Sequence, residues 1–173
     1  YIMTALILLS TVTTMNATSY WKNNLTLFEH GVTVCSNNTR AHYNLGIEYW
    51  KLAQQKVVSQ VNNEYAIKAI EEFNKSLAIL PGNFMAMTNL ACLYDLTNNL
   101  DSSIYYFSKS KKIYSDQPII NKNICAIYVK KANIFASNSA IDSAEANYYF
   151  GLKYDSTNID AWNNLALLYY NRN

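Results

Sequence analysis

Apolar, small and aromatic positions recur along the chain in two alternating patterns. The blocks HYNLGIEY at 42–49, MTNLACLY at 87–94, NKNICAIY at 121–128 and WNNLALLY at 162–169 share one of them: a large residue, a variable one, Asn, an apolar residue, a small residue, two variable ones and Tyr. Between these blocks lie AIEEFNKSLAILP at 69–81, SIYYFSKSKKIYS at 103–115 and AEANYYFGLKYDS at 144–156, where small residues and an aromatic fall at fixed offsets. Spacings of three, four and seven put such residues on one stripe of a helix, so each block predicts a helix and the alternation predicts helical pairs. The opening is different. YIMTALILL runs on through STVTTM before the chain turns polar at Asn16.

Composition supports long helices and removes several alternatives. Among 173 residues there are four Gly and two Pro. Strand-rich folds draw on these residues at their turns, and phosphate-binding α/β folds place glycines in loops, whereas Gly31, Gly46, Gly82 and Gly151 stand alone here. Fourteen basic and twelve acidic side chains are interspersed, so no basic stripe invites nucleic acid. Asn and Tyr supply much of the polar surface instead, which suits wet contacts with peptides or sugars. Cys35, Cys92 and Cys125 are odd in number and far apart, which argues against a disulfide framework and against a metal site. His30 and His42 have no ligand spacing around them and read as packed side chains. Glu71 and Glu72 are neighbours on a helix and read as part of a solvated face. No nucleophile-elbow or phosphate-loop motif occurs, so neither an enzyme nor a cofactor is expected of this chain.

The two patterns together resemble the tetratricopeptide repeat, a unit of about 34 residues made of two antiparallel helices with large, Leu, small and Tyr residues in the first and small, aromatic and small residues in the second. The resemblance implies an all-α, right-handed α-solenoid of about eight helices. Residues 84–117 match without gaps through Met87, Leu90, Ala91, Tyr94, Ser103, Phe107 and Ser110. Residues 39–83 form a first repeat with 11 extra residues and 118–158 a third with 7 extra; 159–173 supply the first helix of a fourth. Both surpluses fall between the paired helices and correspond to whole turns, so the two hairpins are expected to be lengthened. Asn62 and Asn63 are expected to make the first turn, with Val57, Val58 and Val61 facing Tyr65 and Ile67 across it. Ser137, Asn138 and Ser139 are expected to make the other.

Residues 21–38 fill the second-helix half of an earlier unit through Phe28 and Gly31. Residues 1–20 form the apolar segment. The favoured reading is the end of a transmembrane helix, with a buried capping helix and a signal remnant as alternatives. The string at 21–46, with Trp21, Leu27, Phe28, Tyr43, Asn44, Leu45 and Gly46, is similar to the junction in membrane-embedded O-mannosyltransferases that carry tetratricopeptide repeats. That resemblance implies an extracytoplasmic repeat region, in the periplasm or the lumen of the endoplasmic reticulum. Four glycosylation sequons decide nothing in a chain so rich in Asn.

In such repeats the first helices line the concave face, which implies a set of polypeptide-binding residues: Tyr43, Asn44, Trp50 and Lys51; Thr88 and Asn89; Lys122, Asn123 and Lys130; Asn163, Asn164 and Tyr170. The same positions include Ile47, Cys92, Asp95, Ala126, Val129 and Leu167. Asn44, Asn89, Asn123 and Asn164 recur one repeat apart and could grip an extended backbone through amides that both donate and accept. Two functions follow. One is a scaffold binding an extended polypeptide or protein partner, as the repeat part of a membrane glycosyltransferase. The other is a self-assembling repeat protein, because Trp162, Leu165, Ala166 and Tyr169 would lie open without a following helix.

Overall fold

The computed structural model describes residues 2–55, 61–115 and 118–172. Regular structure among them is helical throughout: α1 (Ile2–Tyr20), α2 (Asn24–Val34), α3 (Thr39–Gln55), α4 (Val61–Ile79), α5 (Phe84–Leu96), α6 (Leu100–Ile113), α7 (Pro118–Ser137), α8 (Ile141–Tyr154) and α9 (Ile159–Arg172). Helices α2 to α9 are the repeat helices, and α1 is the apolar segment ahead of them. No helix among the described residues is long and apolar enough to cross a membrane; in α1 the apolar run is broken by Ser10, Thr11, Thr13 and Thr14. The chain divides into two compact units, Tyr1–Ala86 and Met87–Asn173.

In the first unit α3 and α4 run antiparallel, with His42 against Glu72 and Tyr49 stacked on Tyr65. Ala41, Leu45, Ala53, Ala66, Ala69 and Phe73 form its core, the small residues letting the helices approach and Phe73 filling the space between. Gly46 is the tightest point: a Cβ there would lie 2.9 Å from Phe73 Cδ1 and Cε1. Helix α2 begins in a capping box, where the Asn23 side chain accepts from the Thr26 amide and the Thr26 hydroxyl lies within reach of the Asn23 amide. It packs on α3 through Gly31 and Ala41 and through a Tyr49 hydroxyl bond to Glu29.

Three sequence expectations change here. Asn62 and Asn63 belong to the first turn of α4 rather than to a turn between helices. Ile67 points outward, 48% exposed, while Tyr65 meets Tyr49; Val57 and Val58 lie outside the described residues. Glu72 is buried, unlike its exposed neighbour Glu71. The reason is its partners, since one carboxylate oxygen meets His42 Nδ1 at 2.6 Å and the other takes the Lys75 ammonium at 2.6 Å. A charge is tolerated inside when it is paired in this way.

In the second unit two turns have the same construction. Asn98 and Ser139 both adopt φ 60, the left-handed region that Asn favours among non-glycine residues. The amides of Asn99 and Ala140 then bond back to the carbonyls of Tyr94 and Phe135. The following helices α6 and α8 have 14 residues each, whereas α5 has 13 and α7 has 20. The 7-residue surplus of the third repeat is therefore carried entirely by α7 (20 − 13 = 7). Seven residues make nearly two turns at about 3.6 per turn, so the added stretch presents the same face as the stretch before it.

Helix α8 uses that added stretch. In the α5–α6 pair the Ser103 hydroxyl donates to Ala91 O, and Phe107 shares a core with Ala91. In the α7–α8 pair the matching aromatic, Tyr148, donates to Asn133 and shares a core with Ala132, seven residues beyond Cys125. Gly151 meets Cys125 and Tyr128 instead. Helix α9 closes this core with Ala161, Leu165 and Leu168. Leu165 is consequently buried, contrary to its expected place on an open face; Trp162, Ala166 and Tyr169 remain exposed. Trp162 Nε1 donates to Ser156 O, and the Tyr169 hydroxyl bonds to Glu145 and lies 3.2 Å from that of Tyr149.

Candidate functional site

A recess of about 140 Å³ lies between α5 and α7, lined by Cys92, Asp95, Phe107, Asn123, Ala126 and Ile127. Phe107 and Ile127 are buried and form its floor, while Asn123 is half-buried and reaches its wall. At the rim, Lys130 Nζ pairs with Asp95 Oδ1 at 3.1 Å and donates to Asp95 O at 3.2 Å. Burial, with the Asp95 charge adding to it, pushes the Cys92 thiol up to about 11, so it stays protonated and unreactive at neutral pH.

A second recess, of about 230 Å³, repeats this arrangement with a shift. It lies between α7 and α9 and is lined by Asn133, Ala136, Tyr148, Asn164, Leu167, Leu168 and Asn171. Asn164, Leu167 and Leu168 stand where Asn123, Ala126 and Ile127 stand in the first recess, and Tyr148 stands where Phe107 does. Opposite them, Cys92 and Asp95 are replaced by Asn133 and Ala136, displaced by seven residues because α8 and α9 dock on the added turns of α7. The Asn164 side chain donates to Asn133 Oδ1 at 3.1 Å.

The structure brings only part of the sequence-derived set together. Asn123 and Asn164 each line a recess, but Asn164 faces Asn133 rather than a residue beside Asn123. Lys130 is engaged at the rim of the first recess by Asp95. Thr88 turns to the α5–α6 contact, its hydroxyl 2.8 Å from Ser110 Oγ, and Asn89 is half-buried one residue further on. Lys122 is exposed near Asp155, whose carboxyl is held below its ordinary range mainly by the Thr157 hydroxyl, with Lys122 contributing. Asn163 is exposed, and Tyr170 is 80% exposed. Val129, expected on the open face, is buried because α8 covers that level of α7.

In the first unit Asn44 and Trp50 are half-buried, Tyr43 tilts against Phe73 at 5.8 Å, and Lys51 pairs with Glu48 at 2.8 Å. Burial and then the Glu29 hydrogen bond push the Tyr49 phenol well above the usual tyrosine range. Among the described residues no cluster of His, Cys, Asp and Glu could hold a metal ion. Asn133, Ala136 and Asn171 were not expected in a site. The signal that finds the first two is arithmetical: adding the 7-residue surplus to the positions of Cys92 and Asp95 in their repeat leads to Asn133 and Ala136.

Solved structures share this fold. TTC0263, a thermophilic tetratricopeptide protein of Thermus thermophilus, superposes with a TM-score of 0.54 over 84% of this chain and 71% of its own, at 16% identity. A MamA structure gives 0.56 over 92% of this chain and 78% of its own, at 12% identity. YrrB, described as a tetratricopeptide protein with an unusual peptide-binding site, gives 0.54 over 95% and 73%, at 16% identity. The likeness is one of fold, and the expected all-α tetratricopeptide fold is the one observed. No protein family matches the sequence, and no curated protein does.

Proposed function

We propose that this chain is a protein-interaction scaffold that holds an extended polypeptide along the first helices of its repeats. The observation that carries the reading is the recurrence of one recess, floored by apolar side chains and walled by an Asn at the same repeat position, at Asn123 and at Asn164. An amide offers donors and an acceptor at once, which is what an unpaired peptide backbone needs. The peptide-binding site described for YrrB, a protein of like fold, fits the same use. Interspersed charge disfavours a nucleic-acid partner.

The test uses peptides selected from a random displayed library on the wild-type chain. Changing Asn123 and Asn164 together to Ala is expected to weaken their binding by about tenfold or more while leaving the melting temperature within a few degrees. Unchanged affinity overturns the reading.

A finer version makes these repeats the extracytoplasmic, partner-presenting portion of a membrane glycosyltransferase. Only the string at 21–46 and the apolar residues ahead of it support that version. The natural reading frame upstream of Tyr1 tests it: several membrane helices there favour it, and a short soluble leader overturns it.

A further inference from the structure

The added turns of α7 place one amide in an unusual setting. Asn133 Oδ1 accepts two hydrogen bonds, from the Tyr148 hydroxyl at 2.5 Å and from Asn164 Nδ2 at 3.1 Å. Turning either amide over alone would set donor against donor or acceptor against acceptor, so the pair always leaves one donor and one acceptor unused. Two groups are left over: Asn133 Nδ2, a donor, and Asn164 Oδ1, an acceptor. Neither has a hydrogen bond among the described residues. They stand in a recess walled by Ala136 and Leu167, whose lining carries no formal charge.

We infer that Asn133 and Asn164 form a main-chain clamp for one residue of an extended polypeptide, Asn133 Nδ2 donating to its carbonyl and Asn164 Oδ1 accepting from its amide. The inference rests on the polypeptide-binding reading above and specifies how one part of that site works. In an extended chain the N–H and C=O of one residue point to the same side, which matches a donor beside an acceptor. With no charge in the lining, recognition there is indifferent to salt and to the side chains of the guest. The first recess differs, since the Asp95–Lys130 ion pair guards its rim. Asn133 lies ten residues past Asn123 on α7, a separation of about 15 Å along the helix. A guest touching both recesses must therefore span about five extended residues at roughly 3.3 Å each.

The experiment is a two-dimensional NMR titration of the whole 15N-labelled chain with the capped peptide acetyl-Ser-Gly-Ser-Gly-Ser-N-methylamide. Two control probes are its analogue methylated at every backbone nitrogen and propionamide, a stand-in for a Gln or Asn side chain. The expected result is that the side-chain NH2 signals of Asn133 and Asn164 move together with the capped peptide and stay still with the methylated analogue. Asn133→Leu should weaken that response by about threefold to tenfold. Asn164→Ala, which leaves the Tyr148–Asn133 bond in place, should do the same, and backbone spectra confirm that each variant is folded. Equal shifts with propionamide at the same concentration overturn the main-chain assignment in favour of a carboxamide side chain. Movement of the Asn123 signals without those of Asn133 and Asn164 overturns the clamp and leaves the polypeptide-binding reading standing. A folded chain in which none of the three responds overturns both.

Discussion

Gly46→Ala and Gly31→Ala are the same chemical change in two helices of the first unit, and they should have opposite signs. A methyl on Gly46 would sit 2.9 Å from two atoms of the Phe73 ring and 3.1 Å from a third. Carbon atoms rest at about 3.5–4.0 Å, so the ring has to retreat by half an ångström or more. Phe73 is wholly buried and has Tyr43 against it, which leaves little room to retreat. Overpacking of this kind costs about 1–3 kcal/mol. Replacing a mid-helix Gly by Ala returns about 0.5–1 kcal/mol of backbone entropy. The net expectation for Gly46→Ala is a loss of about 0.5–2 kcal/mol. At Gly31 the nearest atom is Ala41 Cβ at 3.8 Å, an ordinary contact, so only the helix gain remains there. Urea unfolding of the whole chain measures both. Replacing Trp162 by Phe confines the fluorescence signal to Trp21 and Trp50, which both lie in the first unit. Gly46→Ala should lower the midpoint and Gly31→Ala should raise it, at unchanged slope. A raised midpoint for Gly46→Ala would refute the claim that Phe73 requires a residue without Cβ there.

Glu72→Ala removes the partner of buried His42 and should cost about 1–3 kcal/mol, read as a lowered melting temperature, whereas Glu72→Gln keeps a hydrogen-bonding group and should cost less; equal melting of wild type and the Ala variant would contradict this. The folded chain holds the Tyr49 proton to higher pH than the unfolded chain, which releases it near about 10, so this contribution is complete below that pH and fades as pH rises above it. Tyr49→Phe should accordingly flatten the fall of the urea midpoint between about pH 10 and 11, and an unchanged slope would count against the Glu29–Tyr49 contact. Iodoacetamide at about pH 8 should label exposed Cys35 at least about tenfold faster than Cys92, as peptide mass mapping would show; comparable rates would mean that Cys92 is not held protonated in its recess.

The repeat fold was legible because its signal is redundant: four Asn-centred blocks and three aromatic-centred blocks all point to the same helix pairs. What the sequence could not show is which part of α7 receives α8. The seven added residues keep the helix face, so Cys125 and Ala132 are equally good small residues for the docking of Tyr148 or Gly151, and periodicity does not choose between them. Packing chose both, Gly151 against Cys125 and Tyr148 beside Ala132 and Asn133. For the same reason Asn164 was read as a recess residue while its partner Asn133, outside the repeat positions, was not: the shift of seven leads to it only once the surplus is assigned to α7. Glu72 was misread for a related cause. Its helix position said surface, but His42 lies directly across α3, and only the pairing of two helices reveals a partner 30 positions away.

The surplus length of α7 also says something about how such a chain can change over time. A helical residue turns the chain by about 100°, so the 7 residues added to α7 fall about 20° short of two revolutions. Insertions of one or two residues in α7 would swing everything downstream by a quarter revolution or more and expose the core. A gain or loss of seven leaves each inward-facing side chain inward. Tolerated changes in length in this protein are therefore quantised, and each accepted step carries a fresh stretch of helix past its neighbours without altering a single residue of the old core.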